Sequence, residues 1–88
     1  MLHEKLEILN ILGLHARAAA KLVSIASRYD CTVTVSCANR DVDARSIMGL
    51  LTLGAARGTF VEVKAEGAEE TQAMAEIKDL FARKFDEE

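Results

Sequence analysis

The sequence contains no proline and no tryptophan. Without proline, and with no Ser/Gly-rich run, it has no linker composition, and it shows neither an internal repeat nor a low-complexity segment. Its 88 residues are therefore expected to form one domain spanning 1–88. Aromatics are few, one tyrosine and three phenylalanines, and Lys and Arg form no cluster in a chain of net charge −3. A nucleic-acid binder needs a basic stripe or stacking aromatics, so that class is set aside. A long hydrophobic run is also missing: the apolar stretch from Ile8 is interrupted by Asn10 and ends at Gly13. That is far short of the ~20 residues that cross a bilayer. The first residues, Met1-Leu2-His3-Glu4-Lys5-Leu6-Glu7, place acids where an export signal needs basic and then apolar residues. With no lipidation motif either, the expected setting is the cytoplasm, without membrane insertion.

Cysteine is limited to Cys31 and Cys37. On one extended strand two residues at that spacing lie about 20 Å apart, at about 3.3 Å per residue, and a disulfide needs Cα atoms within about 7 Å. Two buried free thiols in a reducing compartment are the expectation. No metal site is expected. What remains is ordinary for a globular protein, with half the residues apolar and 28% charged.

Taken in order, Lys5–Ile8 alternates polar and apolar residues as a half-buried strand does, and the apolar character runs on through Leu9, Ile11 and Leu12 until Gly13 stops it. From Ala16 the period changes. Ala19, Leu22, Val23 and Ala26 fall on one helical face, Lys21, Ser24 and Arg28 on the other, and the helix is expected to close near Arg28-Tyr29-Asp30. Residues 31–37 form the clearest strand, with two cysteines and two valines on one face and three hydroxyl residues on the other. Ala38-Asn39-Arg40-Asp41 reads as a turn into a short return strand carrying Val42 and Ala44. Ser46 then caps a short helix that ends at Gly54, and Gly49 weakens that helix by roughly 1 kcal/mol relative to alanine.

After a turn at Arg57-Gly58-Thr59, residues 60–65 alternate again, with Val61, Val63 and Ala65 inward. Glu69 and Glu70 suit the positive end of a last helix whose stripe is Ala73, Ile77, Leu80 and Phe81, with Arg83 and Lys84 near its negative end. Asp86-Glu87-Glu88 reads as a frayed, solvated tail. The order β-α-β-β-α-β-α, with one wet face on every strand, predicts an α+β open-faced sandwich: helices on one side of a single sheet, water on the other.

Chemistry concentrates at Gly13-Leu14-His15-Ala16-Arg17-Ala18-Ala19-Ala20. Here a histidine stands at the mouth of a helix, whose first N–H groups lack intrahelical partners and whose macrodipole is positive, a setting that favours an anion. The same field favours the neutral imidazole, whose lone pair can attack a phosphoryl donor, and the resulting N–P bond is readily passed on. A histidine at a helix start is commonly only an adventitious cap. Arg17, two residues on, argues otherwise because its fork matches phosphate oxygens, while the backbone N–H groups of Ala16, Arg17 and Ala18 complete the phosphate-binding set. His3 has no such setting and reads as surface.

Gly13-Leu14-His15-Ala16-Arg17, followed 31 residues after the histidine by Ser46-Ile47-Met48-Gly49-Leu50, then Leu53-Gly54 and Gly58-Thr59, resembles the HPr/NPr family, the histidine-containing phosphocarriers of the bacterial phosphotransferase system. The likeness runs end to end. It implies a four-stranded antiparallel sheet ordered 1-4-2-3 with three helices on one face, and a protein that carries a phosphoryl group on His15 Nδ1 with help from Arg17 and needs no cofactor, not a stand-alone enzyme. The implied donor is enzyme I, charged by phosphoenolpyruvate, and the implied acceptors are IIA proteins or domains. Ser46 matches the family's regulatory serine, which would add HPr kinase/phosphorylase as a partner. Phosphate there would sit at a helix start while its charge opposed docking of a phosphorylated partner.

Family members commonly have proline at the position of Ala18. Alanine is a good helix former, so a helix with a slightly looser start is expected, and the transfer rate rather than transfer itself is in question. Ile47, Met48 and Leu51 cannot all face the core of so short a helix, and the exposed ones are expected to form a partner surface beside His15; the other arrangement buries Leu50 and Leu51 and exposes only Ile47 or Met48. The protein is expected to be a monomer. Two other readings are a regulatory adaptor of the same fold acting through Ile47 and Met48 with Ser46 as switch, and a small-ligand or RNA-binding module. The acidic balance counts against the last.

Overall fold

The structure is a computed structural model and describes residues 1–87. Four strands, β1 (Leu2–Glu7), β2 (Thr32–Cys37), β3 (Arg40–Asp43) and β4 (Phe60–Glu66), form one antiparallel sheet in the order β1-β4-β2-β3. Helices α1 (Ala16–Arg28), α2 (Ile47–Thr52) and α3 (Glu70–Ala82) cover one face of it. This is the α+β open-faced sandwich that the pattern of half-wet strands predicts.

Alternation decides which face is covered. Val33 and Val35 of β2 and Val61, Val63 and Ala65 of β4 are buried, and they pack in one cluster with Leu22 and Ile25 of α1, Leu50 of α2, and Ile77, Leu80 and Phe81 of α3. Each fully buried Leu or Ile in such a cluster contributes about 1.5–3 kcal/mol from apolar burial. Register keeps the set together, with Leu6 opposite Val61 and Val35 opposite Val63. The polar residues on alternate positions, His3, Lys5 and Glu62 among them, face water. Cys31 and Cys37 are free thiols as expected, but half-buried rather than buried.

Three local expectations need correction. β1 starts at Leu2 and ends at Glu7, so Leu9, Ile11 and Leu12 are not strand but belong to an exposed loop. The physical reason is that β1 pairs only with β4, whose first residue, Phe60, lies opposite Glu7. Past that point Ile8 exchanges backbone bonds with the Gly58–Thr59 turn, and no strand remains to continue the ladder. Second, the hairpin turn is only Ala38-Asn39, while Arg40 and Asp41 pair with Cys37 and Ser36. Both turn residues have positive φ, +51° and +66°, the geometry whose twist suits a two-residue hairpin. Alanine carries little signal for it.

The third correction concerns the end of the chain. Phe85 is buried in the core cluster, Asp86 pairs with Lys21 and Arg83, and Glu87 reaches His15, so these residues are docked, not frayed. Glu88, the last residue of the expected tail, lies outside the described residues.

Candidate functional site

His15 is the N-cap of α1: its backbone is extended (φ −80°, ψ −179°) and its carbonyl accepts the N–H of Ala19 at 2.8 Å. Its side chain makes no capping bond, which leaves the ring to other partners. The loop before it is fixed by Asn10, which is buried and whose Nδ2 donates to the carbonyl of Gly13 at 2.7 Å. Gly13 turns the chain with φ +66°, and Leu14, buried, donates its N–H to the carbonyl of Ala55 at 2.9 Å. A side chain there would force the loop to shift, because a Cβ would stand 2.6 Å from Ala55 O.

These elements open into a cleft of about 720 Å³ lined by Ile11, Leu12, His15, Ala16, Arg17 and Lys21, with Phe85, Asp86 and Glu87 closing the opposite wall. His15 is 27% exposed there, accessible yet walled. Arg17 and Ala16 are exposed at the start of α1, so guanidinium, imidazole and the unpaired N–H groups of the first helical turn share one opening. Ala18 is buried under that turn, and α1 is fully formed from Ala16 with alanine at this position.

Glu87 contacts the ring directly, its Oε2 lying against His15 Nε2, while Oε1 accepts Asn10 Nδ2 at 3.1 Å. These bonds, the one to His15 first, hold the Glu87 carboxyl below the usual carboxylate range, and the N–H of Leu12 adds to them. Lys21 Nζ lies 2.9 Å from Asp86 Oδ2, which holds the Asp86 carboxyl low as well.

Ser46 caps α2, its Oγ accepting the N–H of Gly49 at 3.0 Å. Ile47, Met48 and Leu51 are all exposed, Met48 most at 71%, whereas Leu50 is buried. α2 packs beside α1, but none of its residues lines the His15 cleft. The apolar side chains that do include Ile11 and Leu12, read in sequence as a continuation of the first strand, and Phe85, which with the charged Glu87 comes from the end of the chain and is not foreseen in the sequence. A phenylalanine among charged residues at 83–88 was the available sign that this end is anchored. Among the described residues no His, Cys, Asp and Glu group is placed to hold a metal ion. No helix among them is long and apolar enough to cross a membrane.

Comparison with known proteins matches residues 2–83 to the family model described as the PTS HPr component phosphorylation site. The phosphocarrier protein HPr of Xylella fastidiosa (strain Temecula1 / ATCC 700964) is 43% identical over 88 residues, covering 100% of this chain and 99% of that protein. The phosphocarrier protein HPr of Neisseria meningitidis (serogroup A / serotype 4A) is 44% identical over 87 residues, 99% of this chain and 98% of that one. Among solved structures, HPr-C-His from Thermoanaerobacter tengcongensis superposes with a TM-score of 0.96 at 42% identity, over 100% of this chain and 99% of that chain.

Proposed function

Because this chain belongs to the HPr family and is a phosphocarrier of the phosphotransferase system, we propose that His15 is the residue that carries the phosphoryl group, accepting it at Nδ1 from phosphorylated enzyme I and passing it to IIA proteins or domains. The observation that carries this reading is the placement of the His15 ring, as N-cap of α1, in one cleft with Ala16 and Arg17, the first residues of the helix that also supplies the N–H of Ala18. The lone pair of Nδ1 attacks phosphorus, the N–P bond forms, and the bond from phosphorus to the donor breaks with its electron pair leaving on the donor. The helix N-terminus and the Arg17 fork hold the phosphoryl oxygens during both acceptance and release. Transfer onward is the same step with His15 as the leaving group, so the chain carries and does not turn over substrate by itself.

Ile47, Met48 and Leu51, exposed on α2, supply with Ile11 and Leu12 an apolar surface for enzyme I and IIA. Ser46 is the regulatory position for HPr kinase/phosphorylase: its hydroxyl caps α2 now, and a phosphate there would keep the helix-start setting while adding negative charge to the docking face. The protein acts in the cytoplasm, as one domain and a monomer. Incubation with enzyme I and phosphoenolpyruvate is expected to add one acid-labile phosphate to the wild-type chain and none to His15→Ala. Undiminished labelling of that variant would sink the assignment.

A further inference from the structure

The chain returns to His15 after α3 by a route that is held at several points. Lys84, Phe85 and Asp86 have φ of +58°, +54° and +63°, three successive residues in the left-handed region. An L residue in that region is strained, so the turn persists only where other contacts over-determine it. They are visible: Phe85 is 1% exposed with its ring centroid 4.8 Å from that of Phe81, and Asp86 accepts from Lys21 Nζ at 2.9 Å and Arg83 Nε at 2.7 Å. The result is that Glu87 meets three donors from the loop and helix opposite: Asn10 Nδ2, the N–H of Leu12 and His15 Nε2. Asn10 is itself 1% exposed and anchored on Gly13, so the carboxylate is seated against buried structure.

An ionised carboxylate can only accept, so the nitrogen against it must carry the ring proton. A neutral imidazole with its proton on Nε2 has its lone pair on Nδ1. We propose that Glu87 is a positioning residue for phosphoryl transfer: it fixes the Nε2–H form of His15, presents Nδ1 as the nucleophile, and faces the positive charge the ring acquires when Nδ1 binds phosphorus. This rests on the reading of His15 as the phosphoryl carrier. In the transfer step the Nε2 proton stays in place, the donor departs with its electron pair, and the ring becomes cationic. A carboxylate at Nε2 attracts that cation more than the neutral ring, so its stabilisation grows along the reaction. The other charged groups lining the cleft are Arg17, Lys21 and Asp86, and Asp86 is already paired with Lys21.

The test uses the full chain and the variants Glu87→Ala and Glu87→Gln. Glutamine keeps an acceptor but not the charge. Ring ¹⁵N spectra of the unphosphorylated proteins are expected to show Nε2–H in the wild type and a mixture of the two ring forms in E87A. The rate of phosphoryl acceptance from phosphorylated enzyme I is expected to fall by about tenfold in E87A, the size of one charge-assisted hydrogen bond on a partly exposed ring, and by less in E87Q. Acceptance at or above the wild-type rate in E87A overturns the proposal, a rise meaning that the carboxylate obstructs the site. A slower rate with an unchanged ring spectrum overturns it too. Failure of the underlying reading is seen separately, as label persisting on His15→Ala.

Discussion

Replacing Gly13 with alanine separates two costs that are usually entangled. At φ +66° an L residue is strained by about 1–2 kcal/mol wherever it stands. Gly13 carries a second burden, because the new Cβ would lie 2.6 Å from Ala55 O and 3.0 Å from Ala56 Cα, backbone atoms with no rotamer to escape into. Relief requires the loop to move off residues 55–56, which strains the 2.9 Å bond from Leu14 N–H to Ala55 O and the packing of buried Leu14. Overpacking of this kind costs about 1–3 kcal/mol. Gly54 is the internal control, with a similar φ of +59° and nothing within 4 Å of its Cβ position. Urea unfolding of both variants is therefore expected to place Gly54→Ala about 1 kcal/mol below wild type and Gly13→Ala about 3 kcal/mol below, with unchanged slopes. Since the displaced Leu14 precedes His15 directly, acceptance of phosphate should slow in Gly13→Ala alone. Equal destabilisation of the two variants would refute the steric part of this reasoning.

Further outcomes follow from two polar contacts, at Ser46 and at Tyr29. Ser46→Ala removes the 3.0 Å bond from Gly49 N–H to the capping oxygen and is expected to destabilise by about 1 kcal/mol in thermal or urea unfolding, with acceptance by His15 unimpaired. The Tyr29 hydroxyl donates to Glu76, which also pairs with Arg28, so the phenol is held above its ordinary value of 10.0 and the Glu76 carboxyl below its ordinary 4.5. Absorbance titration of this sole tyrosine should have its midpoint above 10.0, returning toward it in Glu76→Gln. A carboxyl depressed in the folded state stabilises above its unfolded value and loses that contribution as pH falls through its folded one. Wild type should therefore lose stability below about pH 4.5 more steeply than Glu76→Gln; parallel acid profiles would count against the contact.

Much of this architecture is legible in the sequence because its determinants are local and periodic. The buried faces of β2, β4, α1 and α3 follow from alternation and from the helical stripe, and Ser46 and Gly54 bracket α2 by residue type. What periodicity does not contain is the length of a partner. Leu9, Ile11 and Leu12 have the composition of strand, and only the end of β4 opposite Glu7 converts them into loop. The tail was illegible for a related reason. Asp86 and Glu87 look solvated when counted as charges, but their positions are set by Phe85, whose partner Phe81 sits at the end of a stripe that is complete without it.

That hidden wall changes the electrostatic reading of the site. Around His15 the cleft holds two formal positive charges, on Arg17 and Lys21, and two negative ones, on Asp86 and Glu87. Sequence alone offered only the cation and the helix start, an arrangement that would bind phosphate and keep it. A carrier has to release what it accepts, so surplus attraction for the loaded state makes onward transfer uphill; interactions that stabilise a bound group uniformly do not speed its departure. Asp86 takes Lys21 out of the pool of free cations, leaving Arg17 and the helix N-terminus for the phosphoryl oxygens and Glu87 for the ring. With attraction divided in this way, on the reading of His15 as the carrier, the phosphoryl group meets enough charge to be oriented and too little to be trapped.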